Sequence, residues 1–157
     1  MIVFRILCAI LLAWAVNWSL SRSEAAEVLQ AVPELGTYSV LAALAVGYFN
    51  LAVRQGWGVI VAFANGVWAG VLTIFLTGTI HMCIEVIRAM RSGIVKSFDN
   101  FLTVFGEAVE PLLDHLGNLQ LLIVSLGATA VVGVVTEILH WLLVRFRQGK
   151  PKMRSNP

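Results

Sequence analysis

The sequence predicts an all-α polytopic membrane protein, with four transmembrane helices and one amphipathic interfacial helix in a single domain over residues 1–157. Three observations predict it. No Asp, Glu, Lys or Arg lies between Arg54 and Glu85, a run longer than the roughly 20 apolar residues a helix needs to cross a bilayer. Three other apolar segments of similar length accompany that run, at about 2–20, 35–53 and 119–144. The chain is 59% hydrophobic and only 13% charged, where a soluble domain carries about a quarter charged residues. A mean hydropathy of +0.85 agrees with lipid as the solvent.

The first segment, Ile2 to Leu20, starts with Arg5 and ends with Trp14, Asn17 and Trp18. A basic start followed by an apolar stretch also describes a secretory signal peptide. The two tryptophans suit the interfacial end of a retained helix better, and we expect the segment to stay. A polar, acidic loop follows, from Ser21 to Gly36, punctuated by Pro33 and Gly36. The second segment, 35–53, contains Gly47 and ends at Arg54. Gln55-Gly56-Trp57-Gly58 then reads as a tight turn. So short a link makes the helices on either side antiparallel neighbours.

The third segment spans about 59–80 and is expected to continue as helix to about Met90, where Ser92-Gly93 breaks it. Ala62, Gly66, Gly70, Thr73, Thr77, His81 and Glu85 recur at steps of three or four, which aligns them on one helix side. The stripe begins small, becomes hydroxylic and ends ionisable. Gly66 and Gly70 form a GxxxG that Ala62 extends, and small residues let helix backbones approach closely in lipid. Val67, Val71, Ile74 and Phe75 lie away from the stripe and are expected to face lipid. A matching stripe of Ser125, Thr129, Gly133 and Glu137 on the fourth span, 119–144, is its natural partner.

Between these spans, residues 97–117 alternate differently. Phe98, Phe101, Leu102, Phe105, Val109, Leu112, Leu113 and Leu116 recur at helical spacing, with Asp99, Thr103, Glu107, Glu110 and Asp114 opposite. This amphipathic helix is too charged to span, its acidic face is wrong for anionic lipid, and Pro111 is expected to kink or split it. We expect it to lie in the interface and cap the bundle.

Charge sets the orientation. The tail, 145–157, holds Arg145, Arg147, Lys150, Lys152 and Arg154, five of the eleven basic residues. Basic residues stay on the cytoplasmic side, so both termini are expected inside a bacterial inner membrane. The tail is most simply a topology signal, and no nucleic-acid partner is implied.

Candidate chemistry is sparse. His81 and Glu85 are four apart, and Glu137 and His140 three apart, spacings that helical metal sites use. The two pairs fall at opposite ends of their helices under this topology, because Leu119 to Glu137 alone is about 27 Å of helix. An outer cluster of His81, Glu85, Glu107 and His115, with Glu110 and Asp114, is the remaining weak metal candidate. Its bland counterpart is a Glu85–Arg88 pair beside a solvated acidic face. Glu137 is expected to be a buried carboxylate bonded to a neighbouring hydroxyl or to Arg145, and Asn65 to bond across helices. Cys8 and Cys83 both sit in apolar sequence and read as buried thiols. No nucleophilic triad, phosphate loop or nucleotide fingerprint is present, so no enzymatic activity and no cofactor is expected.

Several of these features together are similar to the TrgA-type tellurite-resistance membrane proteins of alphaproteobacteria. The resemblance rests on Pro33-Glu-Leu-Gly36-Thr-Tyr38, on Gly47 and the Gly56-Trp57-Gly58 turn, and on Asn65-Gly66. It continues through Met82 and Glu85, Glu107-Ala108, and Glu137 to Arg147. It implies a link to tellurite resistance and an inner-membrane location, and carries over no functional residue. The rival expectation is an accessory or assembly subunit of a larger membrane complex; a weaker one is a metal-binding or transport protein. The partners expected are the lipid bilayer and, for the rival, other membrane subunits or a second copy.

Overall fold

Small side chains lie inside this molecule and large ones outside, the reverse of a water-soluble core. In the computed structural model, which describes residues 2–21, 29, 33–93, 98–117 and 119–148, the buried set is dominated by alanine: Ala9, Ala13, Ala42, Ala43, Ala62, Ala69 and Ala130 among them. Trp14, Leu41, Phe63, Trp68, Phe75, Ile123 and Trp141 stand exposed. Lipid tails are as apolar as leucine, so nothing drives large side chains inward, and close backbone packing decides what faces what.

Among the described residues, five helices carry the fold: α1 (Ile2–Leu20), α2 (Leu35–Phe49), α3 (Val59–Arg91), α4 (Phe98–Gly117) and α5 (Leu119–Gln148). Four stretches, Ile2–Leu20, Leu35–Val53, Val59–Arg91 and Leu119–Phe146, are long and apolar enough to cross a membrane. The protein is a polytopic membrane protein. α2 stops at Phe49, and a short 3-10 turn, Leu51–Val53, completes its span. α3 ends where expected, with Ser92 at its cap and Gly93 at φ +73°. Pro111 does not split α4, which runs through it as one helix. α5 extends four residues beyond 144, to Gln148, so Arg145 belongs to the helix; residues 149–157 of the basic tail lie outside the described residues.

The four spans form a ring of neighbours. α1 packs on α2, α2 on α3, α3 on α5 and α5 back on α1, while the diagonal pairs barely touch. α4 packs mainly on α3. Phe4 meets His140 edge to face, and the Arg5 guanidinium lies 5.8 Å from the Tyr48 ring centre. Arg5, Arg54, His140 and Arg145 therefore occupy one end of the ring, here the Arg54 end; Glu34 and Arg88 mark the other.

Two seams hold the ring together. At the first, Gly47 of α2 lies on the α1 backbone: a Cβ added there would sit 2.6 Å from Ala9 Cα. The second joins α3 and α5. A Cβ on Gly66 would meet Ala130 Cα at 2.8 Å, one on Gly133 would meet the Ala62 carbonyl at 2.3 Å, and one on Gly70 would collide with Thr129. Residues ascending along α3 meet residues descending along α5, so these helices are antiparallel. Ser125, on the same stripe, is half-buried and lines a cavity beyond the seam.

Candidate functional site

Polar groups that a bilayer would penalise gather at the two ends of the ring, and each gathering fastens one element to another. At the Arg54 end the turn 54–58 must reverse the chain within a few residues. Gly56 and Gly58 do so at φ +97° and +98°, a region side-chain-bearing residues avoid. Such a turn leaves backbone N–H groups pointing inward, and Gly58 caps α3 without a side chain of its own. The carboxylate of Glu137, on α5, answers them: Gly56 N–H donates to it at 2.7 Å and Gly58 N–H at 2.9 Å. Glu137 is only 8% exposed.

Three further bonds close this clasp. Gln55 Nε2 donates to Thr136 Oγ1 and to the Leu51 carbonyl, both at 3.0 Å. Asn65 Nδ2 donates to the Arg54 carbonyl at 3.0 Å. Two expectations are corrected here. Glu137 takes backbone amides rather than a hydroxyl or Arg145, whose guanidinium lies 5.2 Å from the Trp141 ring centre. Asn65 bonds to the turn rather than to another helix. The two carboxylate oxygens accept one N–H each, and it is the turn, not the next helix, that offers unmatched donors.

At the other end, Arg88 of α3 reaches Glu34, which precedes α2, with both carboxylate oxygens at 2.7 Å, and Glu85 of its own helix at 2.8 Å. Tyr38 also donates to Glu34. The Tyr38 and Arg88 hydrogen bonds hold the Glu34 carboxyl below its ordinary pKa. Glu85 thus has the Arg88 partner its spacing suggested; the Glu34 link joins residues 54 apart in sequence, which no local spacing can reveal.

His81 is buried, with its ring 6.4 Å from that of Tyr38. Glu107 is exposed on α4. The side chain of His115 lies outside the described residues, and so does that of Asp114. Among the described residues no three His, Cys, Asp or Glu side chains gather as metal ligands would. Cys8 is buried, but Cys83 is exposed on the outward side of α3, contrary to the sequence reading. An apolar neighbourhood in sequence marks a lipid-facing position as readily as a buried one.

Sequence reasoning missed a cavity of about 400 Å³ between α1, α2, α3 and α5, towards the Arg88 end. Thr73 and Thr77 of the α3 stripe and Ser125 and Thr129 of the α5 stripe stand on its wall. The stripes touch where glycine occupies them and part where hydroxyl side chains do. That change of residue type within each stripe was the available signal. Val71, Ile74 and Phe75, expected to face lipid, also border the cavity; Val71 and Phe75 are exposed and Ile74 is half-buried.

Compared with family models, curated proteins and solved structures, the chain matches none.

Proposed function

We propose that the protein is a non-enzymatic, multi-pass protein of a bacterial inner membrane that contributes to tellurite or oxyanion resistance. One observation supports the reading. The residues that carry the resemblance to the TrgA-type proteins are largely those that fasten this fold. Gly56, Gly58 and Glu137 make the clasp at one end, and Asn65 holds the same turn. Gly47 and Gly66 make the close helix contacts, and Glu34, Tyr38 and Glu85 meet around Arg88 at the other end. A resemblance made of common membrane residues would otherwise scatter over lipid-facing positions. In this reading both termini are cytoplasmic, because Arg5, Arg54 and Arg145 share an end and basic residues stay inside. α4 then lies at the opposite surface with Leu102 and Phe105, both exposed, turned towards lipid.

Deletion of the gene followed by tellurite challenge tests the proposal. Tolerance falls in the deletion strain and returns with the wild-type chain; unchanged tolerance removes the resistance reading. A stoichiometric larger complex in mild detergent, without any tellurite phenotype, assigns the protein instead as an accessory subunit.

A further inference from the structure

The cavity between the four spans is a built compartment at bilayer depth, and its chemistry selects what enters. Seven hydroxyl side chains stand on its wall: Ser19, Ser39, Thr73, Thr77, Thr79, Ser125 and Thr129. Each donates its one proton to a carbonyl of its own helix, at 2.7–3.0 Å. A hydroxyl has a single donor, so these groups offer nothing to an anion, and the rest of the wall is overwhelmingly hydrocarbon. A tellurite ion or a phosphate would be stripped of water there without replacement, at a cost of several kcal/mol or more. Ordered water needs two to four polar partners, and these hydroxyls offer it acceptor lone pairs alone.

The cavity is not sealed. Val71 and Phe75 line it and are also 39% and 72% exposed on the outside of α3. That level of α3 lies within its span, so the opening faces lipid. The closed end, by contrast, is filled by Leu12, Leu51, Ala43 and Ala69. The volume falls within the range of small-molecule sites, about 300–1,000 Å³ with mostly apolar walls. A compartment that opens to hydrocarbon past α3 and is lined by hydrocarbon is filled from the bilayer.

We propose that this cavity is a binding site for one acyl chain of a bilayer phospholipid, which enters past α3 at Phe75 while its headgroup stays at the surface. The site is independent of the resistance reading: it stands whether or not the gene affects tellurite tolerance.

Photolabelling tests it. The full chain is reconstituted in phosphatidylethanolamine–phosphatidylglycerol vesicles containing a phosphatidylethanolamine with a diazirine partway along one acyl chain. It is then irradiated and mapped by peptide mass spectrometry. Label is expected on the buried wall residues Leu121, Thr73 and Thr129 as well as on outward residues such as Phe63 and Ile123. In Ser125→Trp, whose side chain fills the cavity, the wall label is lost while the label at Phe63 and Ile123 stays. Thr77→Leu serves the same purpose if the tryptophan variant does not fold. Label confined to outward residues in the wild type overturns the proposal. So does wall label that persists unchanged in a folded, cavity-filled variant.

Discussion

Glu137 serves two backbone amides that nothing else in the described turn serves, so its loss leaves two inward N–H groups without an acceptor. Hydrogen bonds to an ionised group contribute about 1.5–3 kcal/mol each, and an orphaned buried donor is itself unfavourable. Glu137→Ala should therefore destabilise the protein by roughly 2–4 kcal/mol, measured by unfolding in mixed micelles. Glu137→Gln keeps one carbonyl acceptor but turns an amide N–H₂ towards the second donor, and should lose about half as much. Equal stability of all three proteins would mean that the turn is held by other contacts. The glycines form a second residue-scale series. At Gly66 and Gly133 the added Cβ meets backbone atoms, which cannot swing aside. Gly66→Leu or Gly133→Leu should force the helices apart at about 1–3 kcal/mol or more. At Gly127, on the same helix as Gly133, nothing lies within 4 Å of an added Cβ, and Gly127→Ala should stabilise the protein by about 0.4–1 kcal/mol.

Between elements, the Glu34–Arg88 bridge ties the start of α2 to the far end of α3. Its pH dependence has a definite sign. The folded-state pKa of Glu34 is lowered, first by the Tyr38 hydrogen bond and then by Arg88. Its contribution is complete above the ordinary carboxylate value and disappears as the pH falls through the lowered folded value. Both side chains are about half exposed, so the effect is modest and salt weakens it. Thermal unfolding of wild type and Glu34→Gln in one detergent should show a gap at neutral pH that narrows in acid and in high salt. A gap that stays constant down to strongly acid pH would separate the stability effect from this carboxylate. The α3–α5 seam illustrates a different element-scale rule, since its glycine half closes and its hydroxyl half opens onto the cavity.

Across the whole molecule, what was legible in the sequence is what depends on composition and period. Four spans follow from apolar length, and α4 stands apart because its charged positions recur at helical spacing. The pairing of Gly66 and Gly70 with the Thr129–Gly133 stripe was readable because both stripes are small over the same number of turns. What was not legible depends on how far a side chain reaches in space. The Glu137 carboxylate meets Gly56, 81 residues away, and Arg88 meets Glu34, 54 residues away. A stripe of hydroxyl residues gives no hint from spacing that it will border an opening rather than a contact. Pro111 does not split α4, because apolar positions recur at helical spacing on both sides of it.

One arrangement underlies the whole fold: α3 and α5 run antiparallel, joined at the glycine seam with the Gly56–Gly58 turn held by Glu137. Electron–electron distance measurements between spin labels in lipid nanodiscs test it directly. Ile60, Ile138 and Leu119 are exposed and carry labels without disturbing the seam. Ile60 should lie close to Ile138 and farther from Leu119 by about the 28 Å that 19 residues of helix rise. A label at Ile60 found nearer to Leu119 than to Ile138 would reverse the helices and contradict the fold.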